Sequence, residues 1–132
     1  MDPPAASTLV RIPGGAKLGT GESRTFSFER RGTTLEGFLL HHATGFFAYA
    51  NVCPHWSVDL DLGFGDFYAE DLDRIVCKNH GALFIPQTGE CSAGPCAGMF
   101  LERFEISIEG DDAIVDVSGL TLIGATNLVS SR

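Results

Sequence analysis

Between residues 103 and 109 the chain alternates strictly, with Phe104, Ile106 and Ile108 apolar and Arg103, Glu105, Ser107 and Glu109 polar. Successive side chains of an extended strand point to opposite faces, so this pattern predicts a strand over 102–108 with one face buried. Glu109-Gly110-Asp111-Asp112 supplies turn formers, and residues 113–117 resume an apolar run, so the two segments should close as a hairpin. Further strands are predicted over 9–12, 25–29, 35–41, 46–51, 74–77 and 82–85. Sixteen glycines and six prolines divide the chain into short pieces, and no stretch keeps an apolar repeat at helical spacing over three turns. The expected fold class is all-β, a small sandwich or barrel. Residues 118–132 mix Leu120, Leu122 and Ile123 with small and polar residues, a pattern equally suited to an edge strand, a docked tail or a frayed end.

A chain of 132 residues, 44% of them hydrophobic, is enough for one core and short for two, so a single domain over 1–132 is expected. Seventeen acidic against nine basic residues give a net charge of -8, which disfavours nucleic acid and anionic membrane surfaces and favours a partner with a basic face. Residues 1–6 have neither the basic start nor the apolar stretch of an export signal, and no apolar run approaches the roughly 20 residues of a membrane helix. The expectation is a soluble cytoplasmic protein whose four cysteines stay reduced, which turns attention from disulfides to metal or cluster ligation.

Two short motifs carry that chemistry. Cys53-Pro54-His55 follows a predicted strand, and Cys77-Lys78-Asn79-His80 runs into Gly81-Ala82-Leu83-Phe84. Each offers one thiolate and one imidazole. Thiolates suit iron bridged by sulfide, and imidazoles in place of two thiolates remove negative charge and raise a reduction potential. The same four donors also make a Cys2His2 set for structural zinc. Zinc modules usually use paired-cysteine knuckles, however, and zinc has no need of the Gly-Ala-x-Phe context.

Cys-x-His, then Cys-x-x-His-Gly-Ala-x-Phe, then Thr88-Gly89-Glu90 and Gly94-Pro95 together resemble the Rieske ferredoxin family. By motif the resemblance covers residues 51–100. It implies a β-sandwich with a small cluster-binding subdomain, here about 51–97, and one two-iron two-sulfur cluster. Cys53 and Cys77 would bind one iron and His55 and His80 the other, while the Gly94-Pro95 turn would lie over the cluster. It further implies a carrier passing single electrons from a flavin reductase to an oxygenase or similar terminal enzyme. A redox-sensing or accessory subunit is the alternative role. The chain is too short to add the two-histidine, one-carboxylate iron domain of an oxygenase large subunit.

Several positions depart from the family pattern. Residues 56–76 form a longer linker between the motifs, carrying Asp59, Asp61, Asp66, Glu70, Asp71 and Asp73 against Arg74, read either as a solvated loop or as a docking surface. High-potential members join the ligand loops by a disulfide; Val58 and Asn79 stand at those positions. Ala82 and Phe84 replace a serine and a tyrosine that donate hydrogen bonds to the cluster or its ligand. The two missing donors together with the acidic linker predict a midpoint toward the lower end of the roughly -150 to +300 mV Rieske range.

Cys91 and Cys96, five residues apart, could be bridged if the turn between them brings them close; two free thiols are expected instead, with Cys96 packed beneath the Gly-Pro turn, and a redox-active pair is the alternative reading. Trp56 suits either shielding of His55 or a half-buried core position. His41 and His42 are adjacent on a predicted strand, face opposite sides and so cannot share one site; structural or exposed roles are expected. Phe26, Phe28, Phe38, Phe46 and Phe47 read as core.

Overall fold

Phe38, Leu39, Leu40, Ala48 and Tyr49 are all completely buried, although neighbours along a strand face opposite ways. The two strands that carry them are therefore covered on both faces, and the molecule is organised around this shared wall. The computed structural model describes residues 9–30, 32–52, 60, 67–78 and 81–118.

The strands in chain order are β1 (Leu9–Ile12), β2 (Ser23–Arg30), β3 (Thr33–His42), β4 (Gly45–Ala50), β5 (Tyr68–Ala69), β6 (Arg74–Val76), β7 (Leu83–Phe84), β8 (Cys91–Ala93), β9 (Arg103–Glu109) and β10 (Asp112–Asp116). A single 3-10 turn, Gly15–Lys17, is the one helical piece among the described residues. The first sheet has the order β1-β10-β9-β4-β3-β2, and the second runs β5-β6-β7-β8, with every pairing antiparallel. The all-β expectation holds. The hairpin expected at the end of the chain pairs Glu109 with Asp112 across Gly110-Asp111.

One core fills the first sheet: Ile12, Phe28, Leu39, Ala48, Ala50, Phe104, Ala113, Val115 and Val117 come from β1 to β4, β9, β10 and the residue after β10. The other lies between β3–β4 and the second sheet, where Phe38, Leu40 and Tyr49 meet Leu60, Phe67, Ile75, Cys77, Ala82, Phe84, Cys91, Cys96 and Leu101. Fully burying side chains of this size is worth about 1.5–3 kcal/mol each, so the wall ties the small sheet firmly to the large one. Phe67 lies flat on Phe38, with ring centroids 4.0 Å apart and planes 6° from parallel.

Of the five phenylalanines expected as core, Phe28 and Phe38 are buried, whereas Phe26, Phe46 and Phe47 are half-buried. Phe46 stacks on His41 at 4.2 Å, and Phe47 sits under the Arg103 guanidinium at 5.7 Å. β5 and β8 were not predicted, and the linker does not stay outside the fold: Leu60 is fully buried and Phe67 nearly so.

Candidate metal centre

Cys77 follows β6 and is almost wholly buried. Its amide donates to the Ala82 carbonyl at 2.9 Å, and its carbonyl accepts from the Gly81 amide at 2.8 Å, so Cys77 is fastened to both Gly81 and Ala82. Gly81 takes a φ of 73°, the left-handed region that side chains disfavour, which explains glycine after the second histidine of the motifs.

The first motif leaves β4 through Asn51 and Val52. Asn51 is buried, and each polar group of its side chain has a partner: Nδ2 donates to Glu36 Oε1 at 2.8 Å, and Oδ1 accepts the Leu60 amide at 2.8 Å. The Leu60 carbonyl in turn accepts the Lys78 amide at 2.7 Å. Leu60 therefore joins the strand end that precedes Cys53 to the loop that follows Cys77, and the anchors of both motifs meet in one hydrogen-bonded chain. Cys53, His55, His80 and Trp56 lie outside the described residues, as do Asp59, Asp61, Asp66, Asn79 and residues 119–132. Among the described residues, no group of three or more His, Cys, Asp or Glu is placed to hold a metal.

A third turn closes from the side. Residues 92–95 are exposed while Cys91 and Cys96 at its base are buried. Gly94 sits so close to the second loop that a Cβ there would lie 2.9 Å from Ala82 Cα, and its φ is 109°. The expected turn of Gly94-Pro95 thus lies against the residue after Gly81. Beneath, Phe38, Tyr49, Phe67 and Phe84 form an apolar floor. The Tyr49 hydroxyl donates to the Pro86 carbonyl at 2.6 Å, and burial pushes its pKa well above the ordinary phenol value, so it stays protonated.

At the rim, His42 is buried rather than exposed. Its Nδ1 accepts the Thr44 amide at 3.1 Å, which leaves Nε2–H to donate to Asp73 Oδ1 at 2.7 Å. The same oxygen accepts the Tyr68 hydroxyl at 2.6 Å. That bond first, and the His42 bond second, hold the Asp73 carboxyl below its usual range; desolvation and then this partner push Tyr68 up to about 12. Of the acidic residues expected to project negative potential, Asp73 is engaged in fastening β3 to the β5–β6 hairpin. His41, on the opposite face, bonds through Nδ1 to the Leu18 carbonyl at 2.6 Å.

The donor chemistry of Cys77 fits an iron–sulfur cluster: it is a soft thiol donor packed within an apolar cluster that excludes water. Asn51 and Leu60 were not singled out in the sequence. The available signal was an amide side chain at a strand end two residues before the first motif.

Among the described residues no helix is long and apolar enough to cross a membrane. The chain is 38% identical over 74 residues to the ferredoxin component of biphenyl 2,3-dioxygenase from Rhodococcus jostii (strain RHA1), a match covering 56% of this chain and 64% of that relative's length. In fold it resembles the ferredoxin of carbazole 1,9a-dioxygenase from Nocardioides aromaticivorans IC177, with a TM-score of 0.61, 25% identity and coverage of 83% of this chain and 97% of that one. It also resembles a chain in the complex of reduced oxygenase and oxidized ferredoxin of carbazole 1,9a-dioxygenase, with a TM-score of 0.64, 23% identity and coverage of 83% and 94%. The Rieske [2Fe-2S] domain profile matches residues 17–105, two thirds of the sequence. The chain belongs to the Rieske [2Fe-2S] domain family, whose cofactor is one two-iron two-sulfur cluster.

Proposed function

We propose that this chain is a cytoplasmic one-electron carrier, in which residues 51–97 form the cluster-binding subdomain of a single domain and residues 118–132 a tail. Cys53 and Cys77 would hold one iron, and His55 and His80 the other. The bound cluster would supply one-electron chemistry, and two neutral imidazoles would make it easier to reduce than an all-thiolate set. The observation that carries this reading is the Leu60 bridge, because Asn51 and Lys78, each two residues from a proposed ligand, are fastened to the same residue.

The chain's own contribution is positioning and exclusion of water. Hydrogen bonds hold Cys77 to Gly81 and Ala82, Asn51 ties the end of β4 to Leu60, and Gly94 packs against Ala82. The related ferredoxins belong to biphenyl and carbazole dioxygenases, which supports a terminal oxygenase as the acceptor here, with a reductase as the donor. The excess of acidic residues in the sequence suits docking to basic faces on both.

Anaerobic reductive titration tests the role. One electron per pair of irons, followed by rapid reoxidation on mixing with an oxygenase of this class, is expected. Stoichiometric zinc without acid-labile sulfide, or a cluster that accepts electrons but returns none within a turnover time, contradicts it.

A further inference from the structure

Cys91 and Cys96 are the two cysteines outside the proposed ligand set, and their sulfurs are 2.7 Å apart. No S–S bond joins them. The backbone explains the approach. Cys91 opens β8 opposite Phe84, its amide donates to the Met99 carbonyl at 2.8 Å, and its carbonyl accepts from Gly98 at 3.2 Å. The Met99 amide donates to the Cys96 carbonyl at 2.8 Å, and Ala97 to Gly94 at 3.2 Å. The chain thus doubles back, exposing 92–95 and turning the side chains at both ends of the turn inward to meet. Cysteines serving only as small apolar filler need no mutual contact. These two lie within an ångström of the bonded separation of about 2.05 Å.

We propose that Cys91 and Cys96 are a dithiol pair that peroxide oxidises to a disulfide, stapling the turn that rests on Ala82. One thiol attacks a peroxide oxygen, breaking the O–O bond and releasing one water as a sulfenic acid forms. The second thiol attacks that sulfur, forming the S–S bond and releasing a second water. Both sulfurs are oxidised, and the peroxide carries away two electrons with both thiol protons. Residues 92–95 between the two cysteines are exposed, which brings a molecule as small as hydrogen peroxide to the turn that covers them. Once bonded, the base of the turn cannot open, and Gly94 is held on Ala82. The bond itself is independent of the ligand assignment, whereas its effect on cluster retention rests on it.

Trypsin separates the four cysteines: Cys53 falls in peptide 32–74, Cys77 in 75–78, and Cys91 with Cys96 in 79–103. The test treats holoprotein with equimolar hydrogen peroxide, blocks thiols under denaturing conditions and maps the peptides by mass. Expected is a 79–103 peptide lighter by two hydrogens that takes up two alkyl groups only after reduction, with the visible cluster band retained. Cys91→Ser and Cys96→Ser should each abolish the mass change. Two alkylated thiols after peroxide, sulfinic acid in place of the bond, or bleaching of the band before the mass change would overturn the pair. Iron release to a chelator should slow several-fold in the oxidised wild type and not in Cys96→Ser; equal release in the presence of the bond overturns the staple. Failure of the ligand assignment is separable, since it shows as protein lacking the cluster band before any peroxide is added.

Discussion

The Asn51 side chain accepts the Leu60 amide at 2.8 Å, clasping the two ends of the segment that carries Cys53 and His55. Both groups are buried, so Asn51→Ala leaves the Leu60 amide and the Glu36 carboxylate each short of a partner. Loss of a buried hydrogen bond of this kind costs about 1–3 kcal/mol. Asn51→Ala should therefore unfold at lower denaturant and lose iron faster than wild type. Denaturation followed together with the visible band checks this; unchanged iron release would show that the clasp does not govern the first loop.

Gly94 stands against Ala82 with no room for a methyl group and with a φ of 109°. Gly94→Ala combines a close backbone contact with an unfavourable conformation, each costing on the order of 1–3 kcal/mol. The turn should lift from the second loop. The expected outcome is a lower melting temperature and faster bleaching in air, with the iron content of anaerobically prepared protein near that of wild type.

Asp73 is held below its usual range by Tyr68 and His42. A carboxylate whose folded value is depressed stabilises the protein fully well above its unfolded value of 3.8, and that contribution is lost as pH falls through the lower folded value. Asp73→Asn should thus be less stable than wild type at neutral pH and converge with it in acid. The phenol of Tyr68, now pushed up to about 12, should titrate lower in the variant. Stability curves at several pH values and an alkaline absorbance titration measure the two effects.

Ala82 and Phe84 offer no hydroxyl donor where high-potential relatives place serine and tyrosine, and both are buried. The midpoint is expected toward the lower end of the roughly -150 to +300 mV Rieske range. Replacing a proposed histidine ligand by cysteine adds negative charge, so His80→Cys, where a cluster assembles, should move the midpoint lower still. Protein-film voltammetry reads both, and a wild-type midpoint well above zero contradicts the hydrogen-bond argument.

Long strands were legible because period two persists over several residues. The first strand, Leu9–Ile12, has the predicted bounds, and Arg103–Glu109 is displaced by one residue from 102–108. Tyr68–Ala69 and Cys91–Ala93 are too short to show any period, and their extended form comes from pairing with Ile75 and Phe84. The motif residues were legible because iron–sulfur chemistry needs particular side chains at particular spacings. The clasp was not, since Asn51 acts on an amide nine positions away through a contact without a local signature. The approach of Cys91 to Cys96 depends likewise on the backbone of the turn between them. Spacing alone leaves that conformation open.

Low-temperature electron paramagnetic resonance of the dithionite-reduced protein, with nitrogen hyperfine coupling resolved, tests the ligation most directly. Two coupled histidine nitrogens on a rhombic two-iron signal, reduced to one in His55→Cys and in His80→Cys, are the predicted result. A signal without nitrogen coupling, or one unaltered in both variants, would contradict the assignment of Cys53, His55, Cys77 and His80.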